Sequence, residues 1–137
     1  MKLKLSEVRN LYAALSSLDR YQKTTKASDD APEQQIVAIY EWKPDTRWTI
    51  YANIRFLQPA IDQYEEVRKA TVRQFSGGKE RISKQAAPKA FEDCLAEVVK
   101  LEEREVEVKQ TKLSCKELQS QPVPFDVMAV LEPILEK

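Results

Sequence analysis

Residues 45–75 read DTRWTIYANIRFLQPAIDQYEEVRKATVRQF, and this run decides the architecture. Ile50, Ile54, Leu57, Ile61 and Tyr64 follow at spacings of four, three, four and three. The stripe then drifts to Val67, Thr71, Val72 and Phe75, as a 3.6-residue period requires. The spacing predicts one long amphipathic helix over Asp45–Phe75. Asp45 or Thr46 can cap its start by accepting a hydrogen bond from an unpaired backbone N–H. Ser76-Gly77-Gly78 ends it, because glycine takes the left-handed conformation at little steric cost. About thirty residues at ~1.5 Å each span on the order of 45 Å, more than the core of a small domain demands. Pro59 lacks a donor and crowds the Arg55 carbonyl, which predicts a kink that curls the stripe around whatever it covers.

Upstream, Ile36–Trp42 is apolar at nearly every position, so a strand covered on both faces is expected at the centre of a sheet. Lys43-Pro44 breaks it. Residues 24–35 are polar and expected as a flexible loop centred on Ser28-Asp29-Asp30-Ala31-Pro32. Met1, Leu3 and Leu5 alternate with Lys2 and Lys4, a short strand. Ser6 then reads as the cap of a helix carrying Val8, Leu11, Tyr12, Leu15 and Leu18. Downstream, Pro88 suits the first turn of a third helix, whose stripe of Phe91, Cys94, Leu95, Val98 and Leu101 predicts antiparallel packing on the long one. Glu105-Val106-Glu107-Val108-Lys109 switches to a period of two, predicting a strand from Arg104 to Leu113. Ser114 with Glu117 makes a capping box. Asp126 can cap a last helix carrying Val127, Val130, Leu131, Ile134 and Leu135. The expected fold is α+β in a single domain, residues 1–137, with about four helices, the long one kinked, on a small three-stranded sheet.

The chain has 137 residues, 42 % of them apolar and 32 % charged, which suits helices with long solvated faces. Lysine plus arginine balances aspartate plus glutamate at 22 each, so no global field points to nucleic acid or an anionic membrane. No apolar run reaches membrane-spanning length, and the N-terminus lacks the apolar core of a signal peptide. Cys94 and Cys115 make no disulfide framework, and an intracellular protein is expected. With no histidine, imidazole nucleophile activation, acid–base chemistry and metal ligation are absent. Gly77 and Gly78 are the only glycines, so no glycine-rich phosphate loop exists. No catalytic, cofactor-binding or metal-ligating residue is therefore assigned. A carboxylate-dependent metal enzyme stands as an alternative, Asp93 and Glu97 sharing a helix face at i, i+4.

Charge is laid out in blocks. Arg68, Lys69, Arg73, Lys79, Arg81, Lys84 and Lys89 face one acid, Glu80, between positions 68 and 89. Glu92, Asp93, Glu97, Glu102, Glu103, Glu105 and Glu107 then dominate up to position 107. A basic lobe touching phosphates, or an acidic ridge docking on a basic partner, would explain this. Two antiparallel helices exchanging charge along a shared edge would too, and we favour that because the segments adjoin and the total cancels. Trp42 and Trp48, with Arg47, flank the turn into the long helix. They read as an interface anchor or as a satellite core fixing the start of that helix. The candidate interaction surface is Trp42, Arg47, Trp48, Arg68, Arg73, Lys79 and Arg81.

The strand, Leu5-Ser6 and helix, then Arg47-Trp48, Ala52-Asn53-Ile54, Leu57, Pro59, Tyr64-Glu65 and Arg68, form an order similar to small phage and prophage proteins of uncharacterised role. Glu105-Val106-Glu107-Val108, Leu113-Ser114 and Leu131-Glu132-Pro133-Ile134 look like that group as well. The resemblance implies a viral origin and no reaction: a virion or assembly component, or a host-factor binder, in the host cytoplasm or the virion. A protein partner from host or phage is expected, with a homo-oligomer through the long helix as a further expectation. Membrane contact is not expected. Nucleic-acid binding through the 68–89 lobe is the alternative, and no binding is expected at physiological salt. The packing scheme sets Ile54 and Leu57 against Phe91, Leu95 and Val98, so either change to Ala is expected to cost about 2–5 kcal/mol in denaturant unfolding.

Overall fold

The 3.6-residue stripe is realised as helix α2, Pro44–Ser76, in a computed structural model that describes residues 1–26 and 33–136. Pro44 takes the first helical position, where its missing donor does no harm. Asp45 and Thr46 thus lie inside the first turn rather than before it, and Asp45 acts on the helix dipole instead of as the cap. The helix runs through Pro59 without a break. Gly77 and Gly78 close it at φ +71° and +97°, and the Gly78 N–H donates to the Arg73 carbonyl at 2.8 Å.

Contacts gather into two units, Met1–Arg9 with Phe56–Lys109 and Asn10–Arg55 with Gln110–Lys137. In the first unit, β1 (Lys2–Lys4) pairs antiparallel with β4 (Glu105–Glu107), Leu3 opposite Val106. The Leu5 N–H to Arg104 carbonyl bond and the Val108 N–H to Met1 carbonyl bond, both 2.9 Å, extend that ladder. Helix α1 (Leu5–Leu18) begins two residues earlier than a Ser6 cap would place it, so Ser6 is not its cap. The Glu7 carboxylate closes the turn instead, accepting from the Lys4 N–H at 3.1 Å. Helix α3 (Pro88–Glu102) starts at its proline as predicted. Leu5, Val8, Leu57, Tyr64, Cys94 and Val108 are the buried side chains of this unit.

The second unit buries Leu11, Ala14, Leu15 and Leu18 of α1 together with Trp42, Ile50, Leu113, Leu118, Leu131 and Ile134. Strands β2 (Tyr21–Lys26) and β3 (Glu33–Ala38) pair antiparallel from Tyr21 opposite Ala38 to Lys26 opposite Glu33. Strand β5 (Leu113–Ser114) pairs parallel with β6 (Leu135–Glu136). Between them come α4 (Cys115–Gln119), α5 (Phe125–Leu131) and a 3₁₀ turn, Glu132–Ile134. Ser114 caps α4 as read, its Oγ accepting from the Glu117 N–H at 3.3 Å. Asp126 does not cap α5, which starts at Phe125 and so holds Asp126 within its first turn.

The chain is mostly helical with a minor β component, an α+β composition. Among the described residues its strands form three two-stranded ladders rather than one three-stranded sheet. Each strand has two to six residues, and each finds its backbone partner in a single neighbour. Strand β3 is accordingly no central strand: it ends at Ala38, pairs among the described residues with β2 alone, and leaves Ile39 exposed. The loop expected over 24–35 is narrower, since Thr24–Lys26 and Glu33–Gln35 are ladder positions; its centre, residues 28–32, lies outside the described residues. The strand expected over Arg104–Leu113 splits into β4 and β5. Between them Thr111 spends its backbone groups on a side chain. Asn53, fully buried, donates from Nδ2 to the Thr111 carbonyl at 2.8 Å and accepts at Oδ1 from the Thr111 N–H at 2.7 Å.

Removing that amide by Asn53→Ala leaves a backbone donor and acceptor without their partner, an expected loss of about 2–4 kcal/mol. Leu57 is fully buried, so Leu57→Ala keeps its expected cost of about 2–5 kcal/mol, whereas half-buried Ile54 should lose less. Urea unfolding of the three variants checks both statements.

Candidate interaction surface

A phenol, a carboxylate and a guanidinium frame the first unit. Tyr64, on the apolar stripe of α2, is buried to 1 % exposure, and its Oη donates to Glu102 Oε1 at 2.7 Å. The same oxygen accepts from Arg9 Nη1 at 2.6 Å, while the Arg9 guanidinium lies 4.7 Å above the Tyr64 ring centroid. One carboxylate at the end of α3 thereby ties α3 to both α2 and α1.

The rest of α3 is thinly covered. Only Cys94 of its stripe is buried; Phe91, Val98 and Leu101 are half-buried, and Leu95 is 52 % exposed. Leu95 therefore does not serve as a core residue. With α2 on one flank, a 15-residue helix at the edge of a small unit covers a single apolar column. The second column, Leu95 with Val99 at 48 % exposure, stays in solvent. Beside it, Arg68, Val72, Glu80, Arg81, Ile82, Phe91, Cys94, Leu95 and Val98 line a groove of about 360 Å³. Arg68, Lys69, Val72, Arg73, Glu80 and Arg81 line an adjoining recess of about 330 Å³.

The favoured charge exchange between α2 and α3 does not occur. Among the described residues, no ion pair joins a base of 68–89 to an acid of 92–107. Arg68 meets Glu65 at 3.9 Å one turn back, and Glu97 meets Lys100 at 3.3 Å on its own helix. Lys69, Arg73, Lys79 and Arg81 are exposed and make no ion pair among the described residues. Glu92, Leu95, Val99 and Glu103 follow at three, four and four, so the two carboxylates stand at the ends of the exposed apolar column, and Glu103, just past the end of α3, meets Lys4 at 2.8 Å rather than a base of α2.

Arg68, Arg73 and Arg81 are thus gathered around one recess, with Lys79 in the adjoining turn, where its N–H donates to Ser76 Oγ at 2.9 Å. Trp42 is not part of an exposed surface. It is buried, its Nε1 donates to the Leu18 carbonyl at 2.8 Å, and it satisfies an acceptor left over at the end of α1. Trp48 is 75 % exposed and Arg47 half-exposed, both in the second unit. Reading α3 as one stripe missed Leu95 and Val99 as surface residues. The available signal was a surplus of apolar positions beyond the single column that one neighbour can cover.

Among the described residues no three Cys, Asp or Glu side chains gather where they could hold a metal ion, and no helix is long and apolar enough to cross a membrane. No family model, no curated protein and no solved structure matches this chain.

Burial, and next the hydrogen bond to Glu102, push the Tyr64 phenol up to about 12 from its ordinary value near 10. A phenol whose folded pKa is raised contributes stability in full below the unfolded value and loses it as pH climbs through the folded one. The stability difference between the wild type and Tyr64→Phe, roughly 1.5 kcal/mol at neutral pH for a bond to a charged acceptor, should therefore shrink between about pH 10 and 12. Urea unfolding of both proteins across that range measures it.

Proposed function

We propose that this chain is a non-catalytic interaction protein of phage type, a virion or assembly component or a host-factor binder, working by protein–protein contact in the host cytoplasm or the virion. The observation that carries this reading is the face built by the far half of α2 with α3. Lys69, Arg73 and Arg81, which make no ion pair among the described residues, stand with Glu80 and with Arg68, held by Glu65, beside apolar side chains left open to solvent. Exposed apolar surface rimmed by charge is the ordinary anatomy of a contact surface, and arginine is among the residues that anchor one. The resemblance to phage and prophage proteins supports a viral setting.

Nucleic acid is the second reading, supported by the same unpaired bases. Against it, the Glu80 carboxylate in the same recess and Glu92 on α3 repel a phosphate backbone. Crosslinked capture from host and infected lysates, with mass spectrometric identification, should recover a protein with the wild type and lose it with the Arg68→Glu/Arg73→Glu/Arg81→Glu triple variant. In parallel, fluorescence anisotropy with duplex and single-stranded oligonucleotides should show no binding at roughly 200 mM salt. Micromolar oligonucleotide binding at that salt, abolished in the triple variant, would replace the protein reading by the nucleic-acid one.

A further inference from the structure

The chain turns back after α2 because Gly77 and Gly78 take positive φ, and hydrogen bonds fasten the turn. The Gly78 N–H donates to the Arg73 carbonyl at 2.8 Å. Ser76 Oγ accepts from the Lys79 N–H at 2.9 Å and donates to the Lys79 carbonyl at 2.6 Å. Glu80 and Arg81 are thereby returned to the end of α2, where they close the recess of about 330 Å³ with Arg68, Lys69, Val72 and Arg73. The charge of this recess is not balanced. Lys69 and Arg73 stand at i, i+4 on α2, a like-charge pair that destabilises a helix. Arg81 adds a third cation, and none of the three makes an ion pair among the described residues. Arg68 is held by Glu65 at 3.9 Å, and Glu80 is the one acid lining the recess. Three cations against one carboxylate leave a net charge of two.

We infer that this recess is an oxyanion site for a phosphate monoester, held by Lys69, Arg73 and Arg81. A monoester carries close to two negative charges at neutral pH and three strong acceptor oxygens, which match the net charge of the recess. Two guanidinium groups and an ammonium supply donors from both walls, Lys69 and Arg73 on the helix and Arg81 on the returning chain, and arginine suits a phosphate because its planar fork bonds two oxygens at once. A concave wall concentrates the field of such a cluster. The internal phosphates of a nucleic acid are diesters with a single charge each. One of them would leave a cation unmatched, and its neighbours along the strand would meet Glu80. The monoester is either free, on a small molecule, or carried by a protein partner as phosphoserine or phosphothreonine; the chemistry that recognises it is the same. The inference goes beyond the protein-contact reading and does not depend on it.

Phosphorus NMR titration of the full chain with methyl phosphate tests it, at about pH 7.5 and roughly 50 mM salt, where exposed charges are little screened. The resonance should shift saturably, and the affinity should fall as pH drops through about 6, where the ester takes up a second proton. Dimethyl phosphate, a diester, should bind at least about tenfold more weakly. Arg73→Gln/Arg81→Gln should weaken methyl phosphate binding by about tenfold or more, the loss of charge-assisted hydrogen bonds, with unchanged helical circular dichroism because both side chains are exposed. Glu80→Gln should tighten binding, since it removes the one negative charge lining the recess, and a misfolded variant cannot produce that gain. A blocked alanine pentapeptide with phosphoserine at its centre separates the two sources. Tighter binding than methyl phosphate assigns the site to a protein-borne monoester, and equal or weaker binding assigns it to a free one. No shift with up to about 10 mM methyl phosphate overturns the inference, as would a shift indifferent to Arg73→Gln/Arg81→Gln. Equal affinity for the diester overturns it as well, because the recess would then be an undiscriminating basic surface. Each of these failures leaves the protein-contact reading to be decided by the capture experiment.

Discussion

One buried amide stands inside an otherwise apolar stripe, and the second unit is arranged to satisfy it. Asn53 falls between Ile50 and Leu57 on the covered face of α2, where a side-chain amide without partners would be costly. Its Oδ1 and Nδ2 meet the N–H and C=O of Thr111, one acceptor and one donor, the same pair that a neighbouring strand would offer. The Asn53 backbone carbonyl also accepts from Gln110 Nε2 at 3.2 Å, so two consecutive residues are held against the helix. A chain segment fastened in this way cannot continue a β-ladder. Strand pairing resumes only at Leu113, which is fully buried, and from there Ser114 starts α4.

In the first unit the comparable constraint is ionic. Glu102 receives both the Tyr64 hydroxyl and the Arg9 guanidinium on one oxygen, which secures the C-terminal end of α3. Its N-terminal half has no comparable fastening and buries only Cys94. The apolar residues beyond that single column, and the arginines of α2 that find no carboxylate across the groove, are left facing solvent. The functional reading thus comes from what the fold leaves uncovered. A basic rim and an exposed Leu95–Val99 column are consequences of a helix with one neighbour, and they remain available for a partner.

The charge blocks show why sequence order is a poor guide to pairing. Bases at 68–89 and acids at 92–107 lie close along the chain, and a shared edge between antiparallel helices was the economical reading. Side chains meet by angular position around each helix, however, and the acids find other partners: Glu97 meets Lys100, Glu102 meets Arg9 and Glu103 meets Lys4. Trp42 shows the converse. Beside Trp48 and Arg47 in the sequence it read as an interface anchor or as a satellite core, and its buried indole, whose N–H is drawn to the end of α1, a helix more than twenty residues earlier, agrees with the second.

What the sequence determined by itself was local. The periodicity of residues 45–75 set the length of α2, Gly77-Gly78 its end, Pro88 the start of α3, Ser114 the cap of α4, and the period-two run the strand at Glu105–Glu107. Each depends on interactions within a few residues, where spacing and backbone preference suffice. Only the tertiary structure decided the strand partners, the role of Asn53, the tie between Tyr64, Glu102 and Arg9, and which of two apolar columns on α3 is covered. The physical reason is that a helix or strand carries more pairing capacity than one neighbour can use. Which part is satisfied depends on atoms tens of residues away, brought near only by folding.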